Sequence, residues 1–319
     1  MRALVTGANG FLGSKLTRRL VELGHETICF VRPASNLSNI ATLNVDMAFG
    51  NVTNKTDVFN ACKGIDVVFH LAAVIASDKR QMRELDVVNI GGTQNIVESV
   101  RDLGVKKLVH VSSVVAIGAE TSQDRVLNEK SPYNNLLAAN KNMASKKHGE
   151  EIVLAACRRK EVNAVIVNPS LIFGAGDAQK STRTSNIRAA NGKLKFFTEG
   201  GVNIVAVEDV VDGIVAAYER GRSGERYILG GENITIRELL THIANCAGAT
   251  PPKYKLPSSL LKIAARLTSR VTRENIIAAT MYHWFDNSKA RHELGFNPRP
   301  AREAIKNSVT WMKENGYVL

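Results

Sequence analysis

Two hydrophobic periods take turns along the first half of the chain. Short β-branched apolar runs, RALVT (2–6), ETICFV (26–31), DVVFHLA (66–72), KKLVHVS (106–112) and NAVIVNP (163–169), alternate with longer segments of helical spacing. In GSKLTRRLVELG (13–24), Leu16, Leu20 and Leu23 share a face, and VVNIGGTQNIVESVRDLG (87–104) reads the same way. Strands that are almost continuously apolar, with helices between them, predict a parallel sheet covered on both faces. The expected fold is α/β, with a doubly wound parallel sheet.

After about residue 175 the alternation weakens. The stretch 177–201 is polar and basic, VEDVVDGIVAAYERG (207–221) and TIRELLTHIANCAG (235–248) return as helices, and GERYILGG (224–231) is a strand stopped by glycines. This predicts a smaller lobe interleaved with the last strands. A chain of 319 residues, 44% hydrophobic and 23% charged, has the composition of a globular protein. It contains no run of about 18 apolar residues that could span a bilayer. Glycine and polar residues follow Met1 too early for a signal peptide, so a cytoplasmic protein is expected. Cys29, Cys62, Cys157 and Cys246 lie far apart with no ligand-like spacing, and no metal site is expected. The formal charge of +12 favours an anionic partner without choosing among nucleic acid, acidic lipid, a phosphorylated cofactor and a carboxylate or thioester.

VTGANGFLG follows the first strand and opens the first helix. In that setting Gly7 makes the tight turn, Gly10 lets backbone approach a pyrophosphate and Gly13 lets the helix pack close to the sheet. The spacing is GxxGxxG. At the end of the second strand a carboxylate would bind the ribose hydroxyls of NAD, whereas CFVRPASN offers Arg32, suited to the 2′-phosphate of NADP. NADP(H) is therefore the preferred cofactor, with NAD(H) as the alternative.

These features, with HLAA (70–73), NIGGTQNIVES (89–99), HVSSVVAIG (110–118), NPSLIFGAGD (168–177), VAVEDVVDGI (205–214) and FDNSKARHELGFNPRP (285–300), resemble the extended short-chain dehydrogenase/reductases over essentially the whole chain. The likeness lies in the neighbourhood of the dihydroflavonol reductase-like and hydroxysteroid dehydrogenase-like members of the epimerase/dehydratase superfamily. The resemblance implies a Rossmann-type dinucleotide domain over 1–175, with 203–231 returning to it, and a substrate lobe mainly over 176–319. It implies a cofactor site formed by Gly7, Asn9, Gly10, Phe11, Leu12, Gly13, Arg32, Asn51, Val52, Leu71, Ala72, Ala73, Lys146 and Pro169. Asn51 stands where the family usually has an aspartate near the adenine. A monomer or homodimer is the family habit.

The resemblance also implies a reductase or dehydrogenase acting on a ketone or secondary alcohol. Ser113 would polarise the carbonyl, with Ser112 as the neighbouring alternative, and Lys146 would hold the ribose. Tyr133 and Ser170 are candidate substrate contacts. The family places a tyrosine four residues before the lysine, on the same helix face. There the ammonium draws a phenol of reference pKa about 10 towards neutrality, where it exchanges protons well. Here that position is Asn142. An amide can donate a hydrogen bond to an oxyanion but has no titratable proton. Three accounts compete: Tyr133 or His148 supplies the proton; the protein is redox-silent, with a lyase, cyclase or regulatory role; or Asn142 is a single substitution in an otherwise intact motif.

In the second lobe, LPSSLLKIAARLTSRVTRENI (256–276) combines an apolar stripe with Lys262, Arg266, Arg270 and Arg273. It is either a packed helix or a lid near an anionic headgroup. Lys180, Arg183, Arg188, Lys193 and Lys195 form a second basic cluster. No interleaving of aromatic and basic residues of the kind nucleic-acid platforms use is visible, so the expected partner is a hydrophobic or anionic small molecule and not nucleic acid.

Overall fold

The computed structural model describes residues 1–76, 79–133, 140–177, 182–257 and 280–318. Lys180, the side chain of Arg183 and nearly all of the expected lid at 256–276 lie outside the described residues. The first half runs β1 (Arg2–Thr6), α1 (Phe11–Glu22), β2 (Glu26–Val31), β3 (Asp46–Phe49), α2 (Lys55–Ala61), β4 (Val67–His70) and α3 (Lys79–Leu85). A π-helical stretch (Asp86–Gly92) then leads into α4 (Thr93–Asp102), β5 (Lys107–Val111), a 3-10 turn (Val114–Ala116), α5 (Lys141–Arg158) and β6 (Ala164–Pro169). The rest is β7 (Leu171–Phe173), α6 (Thr182–Ala190), β8 (Phe196–Phe197), β9 (Gly201–Ala206), α7 (Val207–Arg220), β10 (Arg226–Leu229), β11 (Glu232–Thr235), α8 (Ile236–Ala247), β12 (Tyr254–Lys255), α9 (Ser288–Leu294) and α10 (Ala301–Glu314).

Seven parallel strands form the main sheet in the order β10-β6-β5-β4-β1-β2-β3. The doubly wound α/β expectation holds, and the order reverses between β1 and β4, where such sheets open a crevice at the carboxyl ends of their strands. One face carries a core with Leu16 and Leu20 of α1 and Ile214 of α7; the other packs Ile96 and Val153 from α4 and α5. Leu16 and Leu20 are fully buried, each stabilising the fold by about 1.5–3 kcal/mol relative to exposure. The segment read as one helix over 87–104 begins instead as a π-helix. Gly92 lets that wider turn approach Val52, where a Cβ would stand 3.0 Å from the valine side chain.

Of residues 203–231, α7 and β10 lie on the main sheet, whereas β9 pairs with β7 and β11 in a three-stranded sheet. That smaller sheet, with α6, α8 and α10, encloses a separate core around Phe173, Ile204, Leu240 and Ile305. α8 opens on a capping box in which Thr235 and Glu238 satisfy each other's backbone N–H, and closes on Gly248 in left-handed conformation. No helix among the described residues is long and apolar enough to cross a membrane.

Candidate active site

The glycine loop wraps tightly beneath the end of β4. Gly7 has φ +70, and a Cβ there would stand 3.0 Å from the Ala72 nitrogen. At Gly13 a Cβ would stand 2.1 Å from the Gly7 carbonyl oxygen, so α1 can start this close to the turn only with glycine. The N-cap of α1, Gly10, contributes no side-chain acceptor to the first turn. An uncapped helix N-terminus facing a turn with no side-chain bulk suits a pyrophosphate, and the chain's own residues therefore fit a dinucleotide. Asn9 fastens the loop after β2: its amide donates to the Asn36 carbonyl (3.1 Å), and Asn39 donates back to the Asn9 carbonyl (3.0 Å). Arg32 is exposed at the end of β2. Asn51 uses its side-chain oxygen to accept from Thr53 N–H (3.1 Å), which turns the chain after β3, and Val52 is buried.

A polar row crosses the sheet at its carboxyl end, because parallel register sets Thr6 beside His70 and His70 beside His110. Thr6 Oγ accepts from the N–H groups of Leu71 and Ala72, both at 3.1 Å, so its own proton points to His70 Nδ1 at 2.8 Å. On the other side of the ring, Thr93 donates to the Asn89 carbonyl (2.7 Å) and must accept from His70 Nε2–H at 3.2 Å. His70 is thereby fixed as the neutral Nε2–H tautomer. Burial, helped by the Lys146 ammonium, lowers its pKa to about 3. His110 lies against it, tilted by 34° with ring centroids 5.4 Å apart; burial first, then His70 and Lys146, holds His110 well below its usual value. Neither His110 nitrogen has a protein partner among the described residues, nor do the hydroxyls of Ser112 and Ser170.

Ser113 and Lys146 are tied to one another through the core. Asn168, on β6, donates to the Ser113 carbonyl (3.0 Å) and to the Glu150 carboxylate (2.6 Å). Glu150 stands one helical turn after Lys146 on α5, is fully buried and pairs with Arg226 of β10 at 3.1 Å. Arg226 also donates to the Glu129 carbonyl. Burial lowers the Lys146 pKa to about 8, against the opposing pull of Glu150, and no ion pair or hydrogen bond engages its ammonium among the described residues. Of the two serines, Ser112 is buried while Ser113 is partly exposed, with its Oγ accepting from Val115 N–H at 3.4 Å.

Asn142 is engaged with backbone. Its Oδ1 accepts from Ala76 N–H (2.7 Å) and its Nδ2 donates to the Ala76 carbonyl (3.0 Å). Asn89 makes the same two-sided contact with Val74, at 2.8 and 3.0 Å, and also donates to Ser145 Oγ (2.9 Å). Two asparagines from two helices thus hold alternate residues of the strand-like segment after β4. Tyr133 packs beside Met143 and Ala119, with the Lys147 ammonium 5.7 Å from its ring centre; burial, then Glu151, raises its pKa. His148 is exposed and Pro169 is buried at the end of β6. Glu150, Asn168 and Arg226 were not foreseen. Glu150 had a signal, four residues after Lys146; the other two had none, because their roles depend on which strands are neighbours. Among the described residues no cluster of histidine, cysteine or carboxylate side chains could hold a metal ion.

Fold and site together define a dinucleotide-binding α/β protein with a serine just after the central strand β5 and a lysine on the helix α5. The chain belongs to the NAD dependent epimerase/dehydratase family, which matches residues 3–230. It is 32% identical to a putative dihydroflavonol 4-reductase of Synechocystis sp., covering 98% of this chain and 95% of that one. It is 30% identical to sterol demethylase protein B of Methylococcus capsulatus, covering both chains completely. The crystal structure of gox2253 superposes with a TM-score of 0.89 at 36% identity over 100% of this chain and 99% of that one. The protein is an NAD(P)-dependent oxidoreductase of the extended short-chain dehydrogenase/reductase type.

Proposed function

We propose that this chain reduces a ketone, or oxidises the corresponding secondary alcohol, on a hydrophobic or anionic small molecule, with NADP(H) preferred over NAD(H). The observation that carries the reading is the Asn168 bridge, which fixes the backbone of Ser113 to the helix bearing Lys146. Arg32, with no carboxylate nearby at the end of β2 and with the following loop fastened to Asn9, supports the 2′-phosphate preference. Bound nicotinamide supplies or accepts the hydride. In the reducing direction Ser113 Oγ–H holds the carbonyl oxygen, and the alkoxide formed there needs a proton. Asn142 has none to give, the two histidines are held neutral, and Tyr133 is pushed upward. Lys146, at about 8, is the group whose pKa suits exchange near neutrality, and it takes the acid role in this reading, recharged from solvent.

The two-sided fit of Asn142 to Ala76 favours a second reading, in which position 142 is structural and the nucleotide pocket serves a non-redox or regulatory task. One paired measurement separates them: NADPH and NADH binding, and carbonyl-dependent NADPH oxidation, by the protein, by Lys146→Arg and by Asn142→Tyr. The redox reading expects turnover that rises through a pKa near 8 as protons are added and is lost in Lys146→Arg, which keeps the charge but cannot deprotonate. Tight NADPH binding without turnover in any of the three proteins over a broad carbonyl panel supports the second reading.

A further inference from the structure

The small parallel ribbon of the second lobe gathers a surface that neither of its strands shows alone. β8 and β12 pair Phe196 with Tyr254 and Phe197 with Lys255. Residues about sixty apart in the chain, KLKFF (193–197) and KYK (253–255), thereby lie side by side. The rings of Phe196 and Tyr254 lie next to each other, tilted by 44° with centroids 5.9 Å apart, and the two residues remain 52% and 61% exposed. Lys193, Lys195 and Lys253 surround them, all exposed and with no carboxylate partner among the described residues. Lys255 pairs with Glu199, and Arg237 lies over the Phe197 ring at 5.5 Å. Between Glu238 and Glu274 the chain has no acidic residue at all.

We propose that this face docks on a bilayer containing anionic lipid. Exposed aromatic rings beside lysines form the combination that settles at the boundary between headgroups and acyl chains: the rings lie among the carbonyls while the ammonium groups reach the phosphates. The charge is complementary to an acidic leaflet, and two adjacent rings bury little area alone, so attachment depends on both contributions and stays reversible. A nucleic-acid platform would need rings spaced to receive successive bases, whereas these two close on each other. The proposal is independent of the redox reading, since it involves none of the residues placed around Ser113 and Lys146.

The test is co-sedimentation of the full chain with phosphatidylcholine vesicles and with vesicles that also contain phosphatidylglycerol. Binding is expected only to the second, and it should weaken sharply in high salt as the screening length shrinks. Each lysine near an anionic surface is worth about fivefold in partitioning, so neutralising Lys193, Lys195 and Lys253 together to glutamine should cost about a hundredfold. Phe196→Ser with Tyr254→Ser should also weaken binding while leaving NADPH affinity and the circular dichroism spectrum unchanged, which separates a lost contact from a lost fold. Equal binding to neutral vesicles, no binding to either, or variants that bind like the parent would overturn the proposal. Retention of a single-stranded oligonucleotide without vesicle binding would overturn it in favour of a nucleic-acid surface.

Discussion

Replacing His70 by glutamine removes the titrating ring from the middle of the polar row while keeping a side-chain amide directed along the same path. In the folded protein the ring titrates at about 3, against 6.5 ordinarily, because it is enclosed and lies close to the Lys146 ammonium. Protonating it would also force Nδ1–H against the proton that Thr6 already directs there. Between those two pH values the unfolded chain binds the proton and the folded chain does not. The stability contributed by the neutral ring is therefore complete above pH 6.5 and is lost as the pH falls towards 3. At pH 5 the loss through this one ring is about 2 kcal/mol, on the way to a limit of about 5 kcal/mol. Urea unfolding of parent and His70→Gln at pH 7.5 and pH 5 reads this directly. Burial, the main cause of the lowered His110 pKa, is common to both proteins, so the stability difference between parent and variant should shift by about 2 kcal/mol in the variant's favour at the lower pH. Parallel pH dependences would refute the claim that His70 is buried as the neutral tautomer.

Lys146→Met should stabilise the protein by up to about 3 kcal/mol below pH 8, because the folded state raises the free energy of the ammonium there. The gain should vanish above pH 10.5, where the lysine is neutral in both states, and urea unfolding at the two extremes checks it. Glu150→Ala leaves Arg226 without its carboxylate and Asn168 with only the Ser113 carbonyl to donate to, at a cost of about 3–5 kcal/mol measurable by denaturant unfolding. A Cβ at residue 13 collides with the Gly7 carbonyl, so Gly13→Ala should cost about 1–3 kcal/mol and weaken NADPH binding, seen by thermal melting with and without the nucleotide.

Five strands of the main sheet and the helices α1 and α4 were legible because periodicity is local, whereas β3, which has no fully buried residue, gave no such run. A β-branched run such as NAVIVNP buries both faces wherever its neighbours stand, and the spacing of Leu16 and Leu20 marks one side of a helix before any partner is known. The glycine loop was legible for a related reason: turn, helix start and close packing are all written within seven consecutive residues. Lys146 and Ser113 were visible only through motifs; Ser112 and Ser113 both follow β5, and their tertiary surroundings bury the first and leave the second partly exposed. What tertiary structure alone decided depends on contacts between distant residues. Asn142 meets Ala76 across 66 positions and Glu150 meets Arg226 across 76. The His70–His110 row exists because β4 and β5 are neighbours in register, and the lysine–aromatic face exists because two very short strands pair. A sequence states which side of each element is apolar; which elements become neighbours is settled by burying all those sides at once, and the polar partners of Glu150 and Asn142 follow from that arrangement.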